Sequence, residues 1–410
     1  MPFMPFSILA MWLRALLSVA ILAGGIYLAR DWYDRANVPV TESQRFKDAE
    51  VQVHVVPARS TFHPEIGWNR STAELAAAIA LLSFALAGLP IAKGLARLLL
   101  RKGDDEPKME RNGEVRLLAR PDGSEIHVEL YGPADAPPIV LTHGWGANAT
   151  EWYYTKKHLG GRFRLIAWDL PGLGLSKKPD DNNYSLEKLA ADLDIVLALA
   201  GDKPALLVGH SIGGMIIMTF CRIFPGALKN RVTGLVLVHT TPTNPVRTTK
   251  MAGLYTALEK PVLIPLMYLT IWTWPLVWLM NWLAYFNGTA HKSTASESFC
   301  GTQTRGQLDF AARFMPQGRP DVLARGMLGM IHYDALPALP GINVPTLVIP
   351  GDRDVTTKPE ASEMIRSGVP GATLSALSPG KHMGLIEHND RFDALVGDFA
   401  DKCQRDRPKI

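Results

Sequence analysis

The chain has 410 residues, 47% of them hydrophobic and 20% charged, and a formal net charge of +4. This composition excludes intrinsic disorder and low-complexity or collagen-like classes, and so small and scattered a charge provides no nucleic-acid surface. The three cysteines, Cys221, Cys300 and Cys403, stand far apart without a CxxC or Cys/His cluster, which speaks against a disulfide framework or a zinc site.

Apolar residues concentrate at the front. Residues 8–28 hold one charge, Arg14, in 21 positions, long enough to cross a hydrocarbon core of about 30 Å. Residues 75–92 add 18 positions without a charge, with Pro90 near their end. The first stretch lacks the basic lead and small-residue cleavage site of a signal peptide. The two together predict a transmembrane hairpin within residues 1–100. Lys93, Arg97, Arg101, Lys102, Lys108, Arg111 and Arg116 follow the second stretch, so the positive-inside rule places the remainder of the chain in the cytoplasm. Arg30 and Arg35 oppose that orientation. RKGDDEPKMERNG, residues 101–113, reads as a solvated linker.

From residue 114 the pattern changes. VRLLAR and EIHVELYG flank PDGS, which predicts a hairpin. IVLTH (139–143), RLIAWD (164–169), ALLVGH (205–210), GLVLVH (234–239), TLVIP (346–350) and ATLSAL (372–377) are short continuous apolar runs, as expected of parallel strands buried on both faces. Helical stretches separate most of them; residues 186–200 after Ser185 are the clearest. This alternation predicts an α/β fold with a mostly parallel central sheet and flanking helices, residues 114–241 and 336–403. Residues 242–335 break the rhythm and are expected to be an inserted helical cap.

Gly209-His210-Ser211-Ile212-Gly213-Gly214 lies between an apolar run and a helical one. There a G-x-S-x-G motif exposes a serine on a sharp strand-to-helix turn, making Ser211 the candidate nucleophile. His382, after the last run and between Gly380 and Gly384, is the candidate base; His388 reads as helical and is the weaker choice. Asp354 in GDRD is the candidate acid that holds the imidazole, with Asp352 its nearest competitor. Two N–H donors must meet the oxyanion; the candidates are the backbone of Ile212, directly after the serine, and of Trp145 in HGWG (143–146).

HGWG, WDLPGLGLSKKP, GHSIGG, GDRD and KHMGLIEH together resemble the α/β-hydrolase superfamily in its serine esterase, lipase and haloperoxidase-like branch, over residues 114–400. The resemblance implies Ser211 as nucleophile, Asp354 as acid, His382 as base, and Trp145 and Ile212 as oxyanion donors, with no cofactor or metal. It does not extend to residues 1–110, and the cap diverges too widely between members to carry over.

Residues 261–291 contain no Lys, Arg, Asp or Glu but hold Trp272, Trp274, Trp278 and Trp282. A third span is rejected, because Pro261, Pro265 and Pro275 interrupt it and crossing would part Ser211 from His382. Two readings stay open: cap core, or an interfacial face that dips into the membrane. The expectation is a membrane-anchored serine hydrolase that cleaves a small-molecule or lipid ester, probing the membrane but not nucleic acid. The rivals are a carbon–carbon bond hydrolase or cofactor-free perhydrolase on the same triad, and a non-enzymatic membrane interaction protein on a hydrolase scaffold. The intact Ser, Asp and His positions speak against the last.

Overall fold

The computed structural model describes residues 4–36, 41–46, 49–54 and 70–406. Two long helices lead: α1 (Ser7–Ala36) and, after the paired strands β1 (Thr41–Phe46) and β2 (Ala49–His54), α2 (Arg70–Leu99). Within them Ser7–Arg35 and Ser71–Leu99 are long and apolar enough to cross a membrane. The helices pack along each other, and a Cβ on Gly25 would meet the Leu82 side chain at 2.9 Å.

The sheet begins with the expected hairpin, β3 (Glu114–Ala119) and β4 (Glu125–Tyr131), turning through Gly123 at φ +77°. Then come β5 (Pro138–Thr142), α3 (Tyr153–Leu159), β6 (Arg164–Trp168), α4 (Leu186–Leu197), β7 (Ala205–His210), α5 (Ile212–Ile223), α6 (Pro225–Asn230) and β8 (Val232–Val238). The cap comprises α7 (Ala252–Leu258), α8 (Ile264–Trp272), α9 (Trp274–Phe286), α10 (Thr289–Ser298), α11 (Arg305–Gln317) and α12 (Pro320–Ile331). The chain returns through β9 (Thr346–Ile349), α13 (Pro359–Gly368), β10 (Thr373–Leu374), α14 (Gly384–Glu387) and α15 (Asn389–Arg405). The last apolar run, expected as a strand over 372–377, is a regular strand only at Thr373–Leu374 and pairs again as a single bridge between Leu377 and Gly351 before the chain turns toward the site.

The sheet order is β10-β9-β8-β7-β5-β6-β4-β3, parallel from β10 to β6 and antiparallel at β6–β4–β3. Neighbouring residues of one strand feed opposite layers: Val140 enters one core cluster, Ile139 and Leu141 the other. That two-sided burial is why these strands are apolar without alternation. The connection from β5 runs to β6 on one side, and β7 then pairs with β5 on the other. The carboxyl ends of β5 and β7 therefore flank a topological switch point, where open α/β sheets place their ligands.

Residues 101–113, expected as a solvated linker, are instead strapped to the body. The Arg111 guanidinium pairs with the buried carboxylates of Glu129 and Asp169, and Tyr154 Oη donates to the Asp105 carbonyl at 3.0 Å. The reason is electrostatic: two buried carboxylates require a cation, and Arg111 supplies it.

The apolar hairpin is joined to the cap. Trp12 Nε1 donates to Thr270 Oγ1 (2.9 Å), Asn287 Nδ2 to Ser18 Oγ (2.9 Å), and Lys93 pairs with Asp309 (2.9 Å). Gly88 lies flush on the turn after α9; a Cβ there would come within 2.3 Å of the Asn287 carbonyl oxygen. Gly88→Val therefore forces backbone apart and should cost about 1–3 kcal/mol, read as a melting temperature lower by roughly 2–10 °C. Gly94→Val, on the same helix with nothing within 4 Å, should leave it nearly unchanged. Equal effects would mean that the hairpin does not bear on the cap.

Within the cap, Ala252–Trp272 and Trp274–Phe286 meet at 98°. Pro275 sits in the first turn of α9, where its missing N–H costs nothing, and the chain bends at Thr273. The four tryptophans divide. Trp272 is 82% exposed and Trp278 40%, whereas Trp274 lies under the Arg319 guanidinium at 4.2 Å and Trp282 stacks on Phe286.

Candidate active site

β7 ends in the turn that carries Ser211. Its φ of +57° and ψ of −116° are a strained conformation for an L-residue. The turn is possible because glycine flanks it: a Cβ on Gly209 would lie 2.4 Å from the Gly213 carbonyl carbon, and one on Gly213 2.3 Å from the Thr142 carbonyl oxygen. Ser211 thus enters the first turn of α5, with its side chain buried.

The structure brings the three predicted side chains into one line. Ser211 Oγ donates to His382 Nε2 at 3.0 Å, and His382 Nδ1 donates to Asp354 Oδ2 at 2.7 Å. His382 sits on the loop between β10 and α14, and Asp354 on the loop after β9. Asp354 also accepts from the backbone N–H groups of Thr356 (2.7 Å) and Thr357 (3.2 Å) and from Thr357 Oγ1 (2.9 Å). Asp352 faces away from the imidazole; it accepts from Gly380 N and Ser378 Oγ, each at 2.7 Å, and so braces the base loop. His388 Nε2 donates to the Pro379 carbonyl, outside the line.

Trp145 and Ile212 both border Ser211. Trp145 lies on the loop after β5 and lines the same cavity as Ser211, while Ile212 opens α5. The Trp145 side chain turns the other way: its Nε1 donates to the Leu323 carbonyl at 3.0 Å, and a Cβ on Gly326 would strike its ring at 2.0 Å. Thus α12 of the cap seats directly on the candidate oxyanion loop. The cavity over Ser211 measures about 30 Å³, walled by Trp145, Ala311, Phe314, His382 and Met383, which is room for one or two waters.

Burial pushes the pKa of His382 down, although Asp354 opposes this, so the imidazole stays neutral below its ordinary range. Burial alone would raise the pKa of Asp354, but its pairing with His382, helped by His239 and the Thr356 N–H, outweighs burial and lowers it. These are the protonation states a base and its partner acid need.

Sequence patterns missed three further residues here. His210, next to Ser211, and Glu151, on the loop after β5, are buried and share a hydrogen bond. His239, just past β8 at φ +44°, has its Nδ1 3.7 Å from Asp354 Oδ2, and burial lowers its pKa to about 3. No spacing rule links Glu151 or His239 to Ser211; a histidine inside the serine motif was the one available signal.

Residues 137–259 match the family model described as the alpha/beta hydrolase fold. A pimeloyl-[acyl-carrier protein] methyl ester esterase of Nitrosospira multiformis is 25% identical over 291 residues, covering 67% of this chain and 98% of its own length. Among solved structures, an esterase from Exiguobacterium antarcticum superposes with a TM-score of 0.57 at 20% identity, over 70% of this chain and 98% of that one. A bacterial membrane phospholipase A does so at 0.54 and 21%, over 81% of this chain and 97% of that one.

Proposed function

We propose that this chain is a membrane-anchored serine hydrolase of the α/β-hydrolase superfamily for a lipophilic carboxylic ester, with Ser211, His382 and Asp354 as its triad; the family-model match over residues 137–259 and the likeness to ester-hydrolysing relatives support it. The observation that carries this reading is the hydrogen-bonded line from Ser211 through His382 to Asp354, under a cap that is hydrogen-bonded to the apolar hairpin.

Ser211 Oγ attacks the ester carbonyl as His382 Nε2 takes its proton. The negative charge that develops on the carbonyl oxygen lies at the N–H groups of Trp145 and Ile212, at the start of α5. His382 returns the proton to the departing alcohol, leaving an acyl-enzyme. Water then repeats the sequence, and the acid leaves. Asp354 holds the Nδ1–H tautomer throughout and stabilises the transient imidazolium.

The lipophilic assignment rests on surface chemistry. Leu13, Leu17, Leu86 and Leu95 of the hairpin and Tyr268, Trp272, Leu276 and Leu279 of the cap are exposed. So many exposed large apolar side chains on both parts suit a membrane or partner contact, and tryptophan prefers the headgroup level. Lys93, Arg97, Arg101 and Lys102 then set the catalytic domain on the cytoplasmic side.

The chain should stay with membranes through high-salt and carbonate washes, since hydrocarbon insertion is not screened by salt. Trp272→Ser with Leu279→Ser should lower turnover of a long-chain ester presented in vesicles about tenfold, and that of a short soluble ester by less than about twofold. Release by the washes would remove the anchor. Equal losses on both esters would remove the membrane route but leave the hydrolase intact.

A further inference from the structure

His210 lies between two acceptors. Its Nε2 is 3.1 Å from the backbone carbonyl of His382, and its Nδ1 is 3.0 Å from Glu151 Oε1. A carbonyl oxygen cannot donate, so Nε2 carries a hydrogen, and one further proton must lie between Nδ1 and Oε1. The other oxygen, Glu151 Oε2, accepts the Gly144 N–H at 2.9 Å, a bond that favours the ionised carboxylate. The neighbouring histidines differ. His143 donates from Nδ1 to the Gly144 carbonyl and accepts the Leu170 N–H at Nε2, as one neutral tautomer does. His382 is likewise a neutral donor–acceptor, between Asp354 and Ser211.

We propose that His210 is held as an imidazolium by Glu151, and that this buried ion pair is the positioning unit that ties the oxyanion loop and the base loop to the serine turn. Glu151 holds Gly144, the residue before Trp145; His210 is the residue before Ser211; and its far nitrogen holds the residue that carries the base. The pair thereby fixes three loops that converge from separate parts of the chain. It also sets a positive charge beside His382, with the ring centroids 5.0 Å apart. The titratable groups facing the pair are His382, Asp354, His239 and His143. Burial works against the charge on His210, but Glu151 outweighs it and raises the pKa; Glu151 is lowered in turn, the His210 charge and bonds overcoming its own burial.

The inference rests on the triad reading for its kinetic consequence, whereas the protonation state can be observed without it. In the full chain with ¹⁵N-labelled histidine, one ring should keep both N–H groups at about pH 8.5, far above the ordinary histidine range; a spectrum with no doubly protonated ring at that pH overturns the proposal. In Glu151→Gln the amide oxygen still accepts from Gly144 and the amide N–H₂ donates to a neutral His210, so the loops keep their shape while the charges go. kcat should fall about tenfold to a hundredfold with KM within about twofold. The imidazolium stands nearer to His382 than the carboxylate does, so losing both charges raises the pKa of the base. The acid limb of kcat/KM should then move up by about half a unit. Wild-type kcat and an unmoved limb in Glu151→Gln would overturn the positioning role. Should that variant fail to fold, the wild-type spectrum still decides. Activity retained by Ser211→Ala would sink the triad and leave the spectrum untouched.

Discussion

Ser211→Ala will lower kcat on an ester by about 10⁴- to 10⁶-fold while the protein melts within a few degrees of the wild type. The hydroxyl is the group at this position that can carry the acyl chain, and among the described residues its hydrogen bond is to His382 Nε2. Alanine keeps the Cβ that the turn already tolerates at φ +57°, so no new backbone strain arises. The loss left to the fold is that of one hydrogen bond, about 0.5–1.5 kcal/mol. Substantial ester cleavage by folded Ser211→Ala would require another nucleophile. A fluorophosphonate probe gives a second reading: it should label the wild type and not the variant.

Asp354→Asn should cost nearly as much, about 10⁴-fold in kcat, and Asp352→Asn tenfold or less. An asparagine at 354 can still accept from Thr356 and Thr357 through its oxygen, so the loop persists. Its amide N–H₂ would then face His382 Nδ1, now 2.7 Å from Oδ2. The imidazole must turn its lone pair to that amide, which moves its hydrogen to Nε2, against Ser211. It can then no longer take the serine proton. The Asp352 carboxylate accepts from Ser378 and Gly380, and an asparagine oxygen can keep one of those bonds. Equal losses in the two variants would show that the acid is not Asp354.

How much of the site can be read along the chain depends on how local its cause is. A nucleophile turn is local: strand, glycine, serine, glycine and helix must be adjacent, so Gly209 to Gly214 announce it. The same holds for the loop after β5, where Gly144 and Gly146 bracket Trp145, and for the base loop between Gly380 and Gly384. The acid is harder. Asp352 and Asp354 stand two residues apart, and only the bend after β9 turns one to His382 and the other to the loop backbone. The strap at 101–113 shows the limit. Its composition is that of a solvated linker, and nothing local indicates that Glu129 and Asp169 lie buried and need Arg111.

By itself, then, the amino-acid pattern determined the sheet, the candidate order Ser211–Asp354–His382, the two apolar helices and the helical insertion, because each follows from periodicity or from turn chemistry within a dozen residues. Tertiary structure alone decided how these parts meet. Gly88 reads as one more small residue in an apolar helix until the Asn287 backbone is found 2.3 Å from where its Cβ would be. Trp272 and Trp274 are alike in the sequence, yet one is exposed and the other lies beneath Arg319. Glu151 and His210, 59 residues apart, share a proton only because β5 and β7 are neighbours in the sheet. Contacts of this kind arise from packing between distant segments, where buried charge must find a partner and backbones can approach only at glycine, and no local pattern encodes them.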